Sequence, residues 1–225
     1  MELSGSIPDK PVQRSLENES RRHGDLVQGD FLDSYHNLSY KGIMGNLWVA
    51  EFCAQADFVL KTDDDMFVDL YQVQRTCIPY IKPCLKNPFN NEAWRFTSHS
   101  PAESTTPADI TLTTGIYYLC IWNHIRTQYR FLLGPVWHGM PVLRDHGRYH
   151  ASYEEVPEGQ KVYPTYISGW IRISNPGTAR AIVEAAQVVR FFWIEDVWVT
   201  GYIAEYLQIE HQVLMQWNSF MYHKC

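Results

Sequence analysis

Two short apolar runs in this chain stop abruptly at acids, and that pattern restricts the fold more than any other feature. Residues 57–61 (DFVLK) read as a strand and lead at once to Asp63, Asp64 and Asp65. Residues 191–194 (FFWI) read as a strand and lead into Glu195 and Asp196. A further apolar run, Met66, Phe67 and Val68, closes the first unit. Helical patterns alternate with these runs. Over residues 30–53, Tyr40, Met44, Leu47 and Trp48 recur at helical spacing, with Asp33 or Asn37 available as the cap, although Gly42 and Gly45 interrupt the pattern. Residues 169–174 read as a strand. Asn175 and Pro176 then start a helix, cap and first-turn proline in their favoured places, with an apolar stripe of Ile182, Ala186 and Val189. From Glu195 another helical pattern runs to Leu207. Strands alternating with helices predict an α/β domain, and in such domains ligands sit beyond the carboxyl ends of the strands. Both acidic clusters fall at that place.

The chain of 225 residues, 45% hydrophobic, is long enough for one core. Its net charge of -6 is mild and its Lys and Arg are scattered, which argues against a nucleic-acid partner. Cys53, Cys77, Cys84, Cys120 and Cys225 form neither a dense disulfide framework nor a C-x-x-C zinc site. Asn18 and Asn37 head N-x-S sequons, glycan acceptors in a secretory lumen. No apolar stretch approaches the roughly 20 residues that span a bilayer, and the longest, residues 115–122, reads as a buried strand. The opening MELSGSIPDKP lacks the basic and apolar regions of a signal peptide, so the chain as it stands is expected to be soluble. The Ser-, Thr- and Pro-rich stretch around residues 98–114 marks a loop, and residues 93–130 are expected to be an insert or disordered segment.

Three adjacent like charges repel, and each needs water, donors or a cation. A hard divalent ion, Mn²⁺ or Mg²⁺, would supply that charge through oxygen ligands. In an extended segment the carboxylates of Asp63 and Asp65 point the same way, which suits an ion that also holds a diphosphate. A solvated turn or capping cluster is the plainer reading of the same triplet. A calcium loop of EF-hand type is excluded, because its glycine and closing glutamate are absent.

At this level of detail the chain resembles the β-1,3-galactosyltransferases with their β-1,3-N-acetylglucosaminyltransferase and Fringe relatives. The resemblance rests on HGDLVQGDFLDSYHNLSYK (residues 23–41), FVLKTDDDMFVD (58–69), PVLRD (141–145), SYEEVP (152–157), YPTYISG (163–169) and EDVWVTG (195–201), together with Glu19, Ser20, Trp48 and Cys53. It implies a GT-A fold, a Rossmann-like mixed sheet flanked by helices, in one catalytic domain over residues 1–225 that is incomplete at its amino end. It also implies a Golgi-lumen location and a type II membrane anchor upstream of the catalytic domain.

By the same resemblance, Asp63, Asp64 and Asp65 match a DxD-type motif whose last acid binds the metal carrying UDP. Asp196 matches the acid of an E-D-V motif that serves as catalytic base beside Glu195. Read from the residues alone, Asp196 is equally a helix N-cap. A second metal ligand is expected near the carboxyl end, with His223 the candidate, His211 the runner-up and a surface histidine the alternative for either. Lys41, Ser168, Gly169 and Trp170 are expected at the donor, against the plainer readings of a solvated lysine and a strand glycine that permits close packing.

The implied reaction is inverting transfer of galactose from a UDP-sugar to a glycoprotein or glycolipid glycan, forming a β-1,3 linkage. The proton of the acceptor hydroxyl goes to Asp196 and the charge on departing UDP to the metal. UDP-N-acetylglucosamine is the alternative donor. A non-catalytic remnant that binds sugar or protein is the alternative of another class.

Overall fold

The computed structural model describes residues 2–69, 116–121, 130–213 and 221–223. The chain opens on β1 (Glu2–Ser6), α1 (Lys10–His23) and β2 (Leu26–Leu32), with β1 and β2 paired in parallel. Local signals account for α1. Asp9 caps its amino end through Val12 N–H, Pro11 sits in the first turn, and Gly24 ends it at φ 66°. Arg21, Arg22 and His23 complement the negative pole of the last turn.

A short 3₁₀ turn, Tyr35–Asn37, leads into α2 (Leu38–Phe52). The helix expected from residue 30 therefore starts later, because residues 30–32 still pair in β2. β2 lies at the sheet edge, where alternate residues face solvent and apolar spacing is ambiguous. Asn37 takes the N-cap position, but its side chain makes no capping hydrogen bond. Asn37 donates its side-chain N–H to Leu32 O at 2.8 Å, and Asp33 is engaged elsewhere.

The next elements are β3 (Phe58–Asp63), β4 (Met66–Val68), β5 (Ile116–Ile121), β6 (Leu132–Gly134), β7 (Val136–Trp137), β8 (Tyr166–Ile167) and β9 (Ile171–Ser174). Then come α3 (Pro176–Ala185), β10 (His211–Val213) and β11 (Met221–His223), with α4 between α3 and β10. α4 is built from Glu195–Val197, a π-helical stretch Trp198–Tyr202 and a final turn Ile203–Tyr206. Asn175 caps α3 through Thr178 N–H, as its sequence predicts.

Among the described residues the main sheet has seven strands in the order β10-β6-β9-β3-β5-β1-β2. β5 and β9 run antiparallel to their neighbours, which gives the mixed sheet expected of this fold. β5 stands between β1 and β3, so residues 116–121 are part of the sheet rather than of an insert. The rest of 93–130, apart from Arg130, lies outside the described residues. One core cluster gathers Leu3, Val49, Cys53, Val59 and Ala179; a larger one gathers Leu132, Ile167, Ile182, Phe192, Trp198 and Ile203.

Residues 191–194 form no strand. Phe192, Trp193 and Ile194 are buried, but side chains replace a strand partner. Ser39 donates its hydroxyl to Phe192 O at 2.7 Å, and Trp198 donates its indole N–H to Arg190 O at 3.0 Å. An apolar run supplies burial without specifying which donors satisfy its carbonyls.

Candidate active site

β1, β2 and β3 run the same way, so their carboxyl ends share one edge of the sheet. β9 runs oppositely, and its amino end, with Gly169 and Trp170 just before it, reaches that edge too. Asp63 N–H donates to Trp170 O at 3.1 Å and fastens the two together. A cleft of about 340 Å³ opens here. Its walls bring together Asp63, Asp64, Asp65, Gly169, Trp170, Glu195 and Asp196, all singled out from the sequence.

Charges are arranged in pairs beneath the cleft. Lys61 and Arg172 face each other in the β3–β9 register, 2% and 3% exposed. Lys61 Nζ lies 2.6 Å from Asp63 Oδ1 and also donates to Gly169 O. Arg172 Nη1 lies 2.6 Å from Glu195 Oε1. Burial works against the charge on Lys61, but the Asp63 and Glu195 carboxylates outweigh it and hold the ammonium above its ordinary range. Burial likewise opposes ionisation of Glu195, and Arg172 with Lys61 holds it below the usual carboxylate range. α2 leaves room for this pair only because residue 42 is glycine: a Cβ there would stand 2.7 Å from Glu195 Oε1.

Asp196 is not the N-cap. That place belongs to Ile194, and Asp196 follows two residues on. Its Oδ1 accepts from Val197 N–H at 2.9 Å and its Oδ2 from Gly169 N–H at 3.2 Å. Burial, and then the Glu195 charge, push its pKa up to about 6, while the two N–H donors and Lys61 pull the other way. A carboxylate of that pKa exchanges protons near neutral pH and suits a general base. The π-helical stretch begins two residues later, where Thr200 donates to Asp196 O at 2.6 Å and accepts from Ile167 N–H at 2.8 Å.

Other expected site residues lie elsewhere. Lys41 is 1% exposed and pairs with Asp33 Oδ1 at 2.8 Å, away from the cleft. Asp33 also accepts from Ser4 Oγ and Gly5 N–H, so it ties β1 to α2. Ser168 is buried and donates its N–H to Pro135 O at 2.9 Å. His211, on β10 at the far side of the sheet, contacts Thr200 O through Nε2. His223 pairs in register with Met66, the residue after Asp65. Asn18 is exposed on α1, whereas the sequon serine after Asn37, Ser39, is 0% exposed. The sequence reading missed Tyr35, Arg148 and Tyr149 on the outer wall, and the buried pair Lys61 and Arg172. A cation in the middle of each of two apolar strands was the available signal.

Asp65 is exposed at the β3–β4 turn and lines the cleft. Its hard oxygen donors suit a divalent cation. Among the described residues no group of three or more His, Cys, Asp and Glu side chains is arranged to hold a metal ion. Nor is any described helix long and apolar enough to cross a membrane. Cys53 is disulfide-bonded.

The galactosyltransferase family model matches residues 4–92 and 107–215. The chain is 48% identical over 218 residues to human β-1,3-galactosyltransferase 5, covering 97% of this chain and 55% of that protein. It is 28% identical to the gorilla β-1,3-galactosyltransferase 5, covering 97% and 57%. It is 27% identical over 197 residues to mouse β-1,3-galactosyltransferase 1, covering 88% and 47%. The chain thus spans about half the length of these curated relatives.

Proposed function

This chain belongs to the galactosyltransferase family, and we propose that it is the luminal catalytic part of an inverting transferase moving galactose from UDP-galactose to a glycan in β-1,3 linkage. The observation that carries the reading is Asp196: a carboxylate pushed up to about 6, oriented by Gly169 and Val197 N–H groups, lining the same cleft as the Asp63–Asp65 turn. The acceptor hydroxyl gives its proton to Asp196 as its oxygen bonds to the anomeric carbon. The bond from that carbon to the diphosphate breaks, and UDP leaves with the electron pair. One displacement inverts the centre, so an α-linked donor yields a β product.

Asp65, with His223 or Asp64, would hold Mn²⁺ or Mg²⁺, which supplies positive charge to the diphosphate. Asp63 is committed to Lys61 and fixes the strand end. The disulfide at Cys53 and the exposed sequon at Asn18 support a secretory lumen, in keeping with a Golgi enzyme anchored by a segment outside this chain. The acceptor is a glycan on protein or lipid.

The test is Asp196→Asn. Asn keeps the size but only one acceptor oxygen for the two backbone donors, so stability is expected to fall by about 1 kcal/mol while UDP binding holds. Transfer is expected to fall on the order of 10²–10⁴-fold, the contribution of a positioned base. Near-wild-type transfer by the folded variant would remove Asp196 from the reaction. Running the assay with UDP-galactose and UDP-N-acetylglucosamine side by side assigns the donor.

A further inference from the structure

The cleft does not end at Asp196. Its outer wall is Tyr35, Arg148 and Tyr149, and beyond it lies a second, shallower depression of about 580 Å³ lined by Tyr35, His36, Gly147, Arg148 and His150. Tyr35 and Arg148 line both, so they form the sill between them. We propose that Arg148 on this sill is a specificity-determining residue: it holds the acceptor sugar next to the reacting one, with the depression as that sugar's subsite. This rests on the transferase reading above.

The sill is built for such a ligand. The Arg148 guanidinium carbon stands 4.0 Å from the Tyr35 ring centre and 5.9 Å from that of Tyr149. Stacking on the ring orders an exposed side chain and leaves its N–H edges free to point outward as a planar fork. A fork matches two neighbouring oxygens, and adjacent ring hydroxyls of a hexose offer that pair. The Tyr149 ring, 43% exposed and 6.1 Å edge-on from Tyr35, adds an aromatic surface for the apolar C–H face of a sugar. Burial, and then its hydrogen bond with Tyr149, hold the Tyr35 hydroxyl above the ordinary phenol range, so it stays protonated.

Position separates acceptor from donor. Tyr35 and Asp196 line the same inner cleft, so the sill is continuous with the base. A hydroxyl delivered to Asp196 belongs to the acceptor. The next sugar therefore leaves over Arg148, on the side open to solvent. The acidic turn at Asp65, where the diphosphate is proposed, also lines the inner cleft but not the depression.

The experiment compares the methyl β-glycosides of galactose and N-acetylglucosamine with the β-linked disaccharides of the same two sugars. Each is tested as acceptor for transfer and, without turnover, as ligand by saturation-transfer NMR. The wild type should favour its best disaccharide over the matching monosaccharide by about tenfold in KM, one good polar contact's worth. Arg148→Ala should reduce that ratio to about one, and Arg148→Lys should restore only part of it, because a point charge lacks the fork. A ratio internal to each protein is insensitive to how much of the variant is folded. Equal use of both acceptors by the wild type, or a full disaccharide preference in Arg148→Ala, overturns the subsite. Binding that prefers the disaccharide through Arg148 without transfer keeps the subsite and overturns the transferase reading. No transfer and no preference overturns both.

Discussion

Gly42→Ala is the sharpest probe of how tightly the site is built, because one methyl group sets three effects against each other. Alanine in a helix is favoured over glycine by about 1 kcal/mol. Here the new Cβ would lie 2.7 Å from Glu195 Oε1, 2.8 Å from its Cγ and 3.1 Å from its Cδ. To reach an ordinary 3.4 Å contact, the glutamate must retreat by about 0.7 Å. It has little room, since Oε1 is held at 2.6 Å by Arg172 and both side chains are under 10% exposed. Overpacking of this kind costs about 1–3 kcal/mol, and parting a buried ion pair costs about 3–5 kcal/mol.

A glutamate that slides but keeps Arg172 therefore gives a net loss of about 2 kcal/mol, at the upper end of the overpacking cost or with the pair weakened. For a chain of this length that is a fall in Tm of roughly 4–8 °C. Thermal unfolding followed by circular dichroism reads it. Gly177→Ala is the control: its Cβ would meet only Asn175 Oδ1 at 3.5 Å, on the exposed first turn of α3, so it should gain up to about 1 kcal/mol. If Gly42→Ala were as stable as Gly177→Ala, Glu195 would not be pinned where the structure has it, and the account of how Asp196 is raised would lose its second cause.

Three other predictions follow from the same network. Asp196 must be ionised to accept a proton and its pKa is raised to about 6, so kcat/KM is expected to be level above that pH and to fall tenfold per unit below it; a profile flat to pH 4.5 would refute the assignment. Lys61→Met removes a cation that lowers the Asp196 pKa and pairs with Asp63, so the acid limb should move above 6, while stability falls by less than the roughly 3–5 kcal/mol of a fully buried pair because the Asp63 side chain is 35% exposed; a destabilised variant with an unmoved limb would limit Lys61 to structure. Asp65→Ala is expected to abolish Mn²⁺-dependent UDP binding with the fold intact, and calorimetry showing unchanged affinity would sink that role.

The parts of this fold that were legible in the sequence are those set by local chemistry. The strand before Asp63, the Asn175 cap with Pro176 behind it, and the helical run after Glu195 each follow from neighbours in the chain. The place of the first acidic cluster was legible too, because β3 ends at it on the edge where ligands bind; the second reaches the same cleft with no strand before it. What escaped depends on partners distant in sequence. Lys41 looked like a solvated or donor-facing lysine until β1 and β2 placed Asp33 against it. Residues 191–194 have strand composition, but Phe192 O accepts from the Ser39 hydroxyl and Ile194 O from the Trp198 backbone N–H. Residues 116–121 sit in a stretch whose surroundings read as an insert, yet pair between β1 and β3, contacts more than 50 residues away in sequence. Arg148 and Tyr149 carry no motif that distinguishes them; only the fold sets them beside Asp196.

Charge balance links these findings to the proposed chemistry. Lys61 with Asp63 and Arg172 with Glu195 form two close pairs, and both cations lie within the sheet, held by carboxylates at 2.6 Å. Neither is available to a ligand without stranding its partner, a step that costs more than a surface contact returns. Among the remaining described residues of the cleft wall, three carboxylates, Asp64, Asp65 and Asp196, face one guanidinium, Arg148, at the outer sill. A nucleotide diphosphate brought to such a wall is repelled unless a cation arrives with it or before it. The buried positive charge beneath the cleft, Lys61 and Arg172, is committed to Asp63 and Glu195, and Glu195 in turn raises Asp196. Under the proposed chemistry a bound cation, rather than the described residues of the wall, supplies positive charge to the donor, and the Asp65 and Lys61 variants should then part company. Loss of Asp65 is expected to cost donor affinity, and loss of Lys61 to move the pH profile.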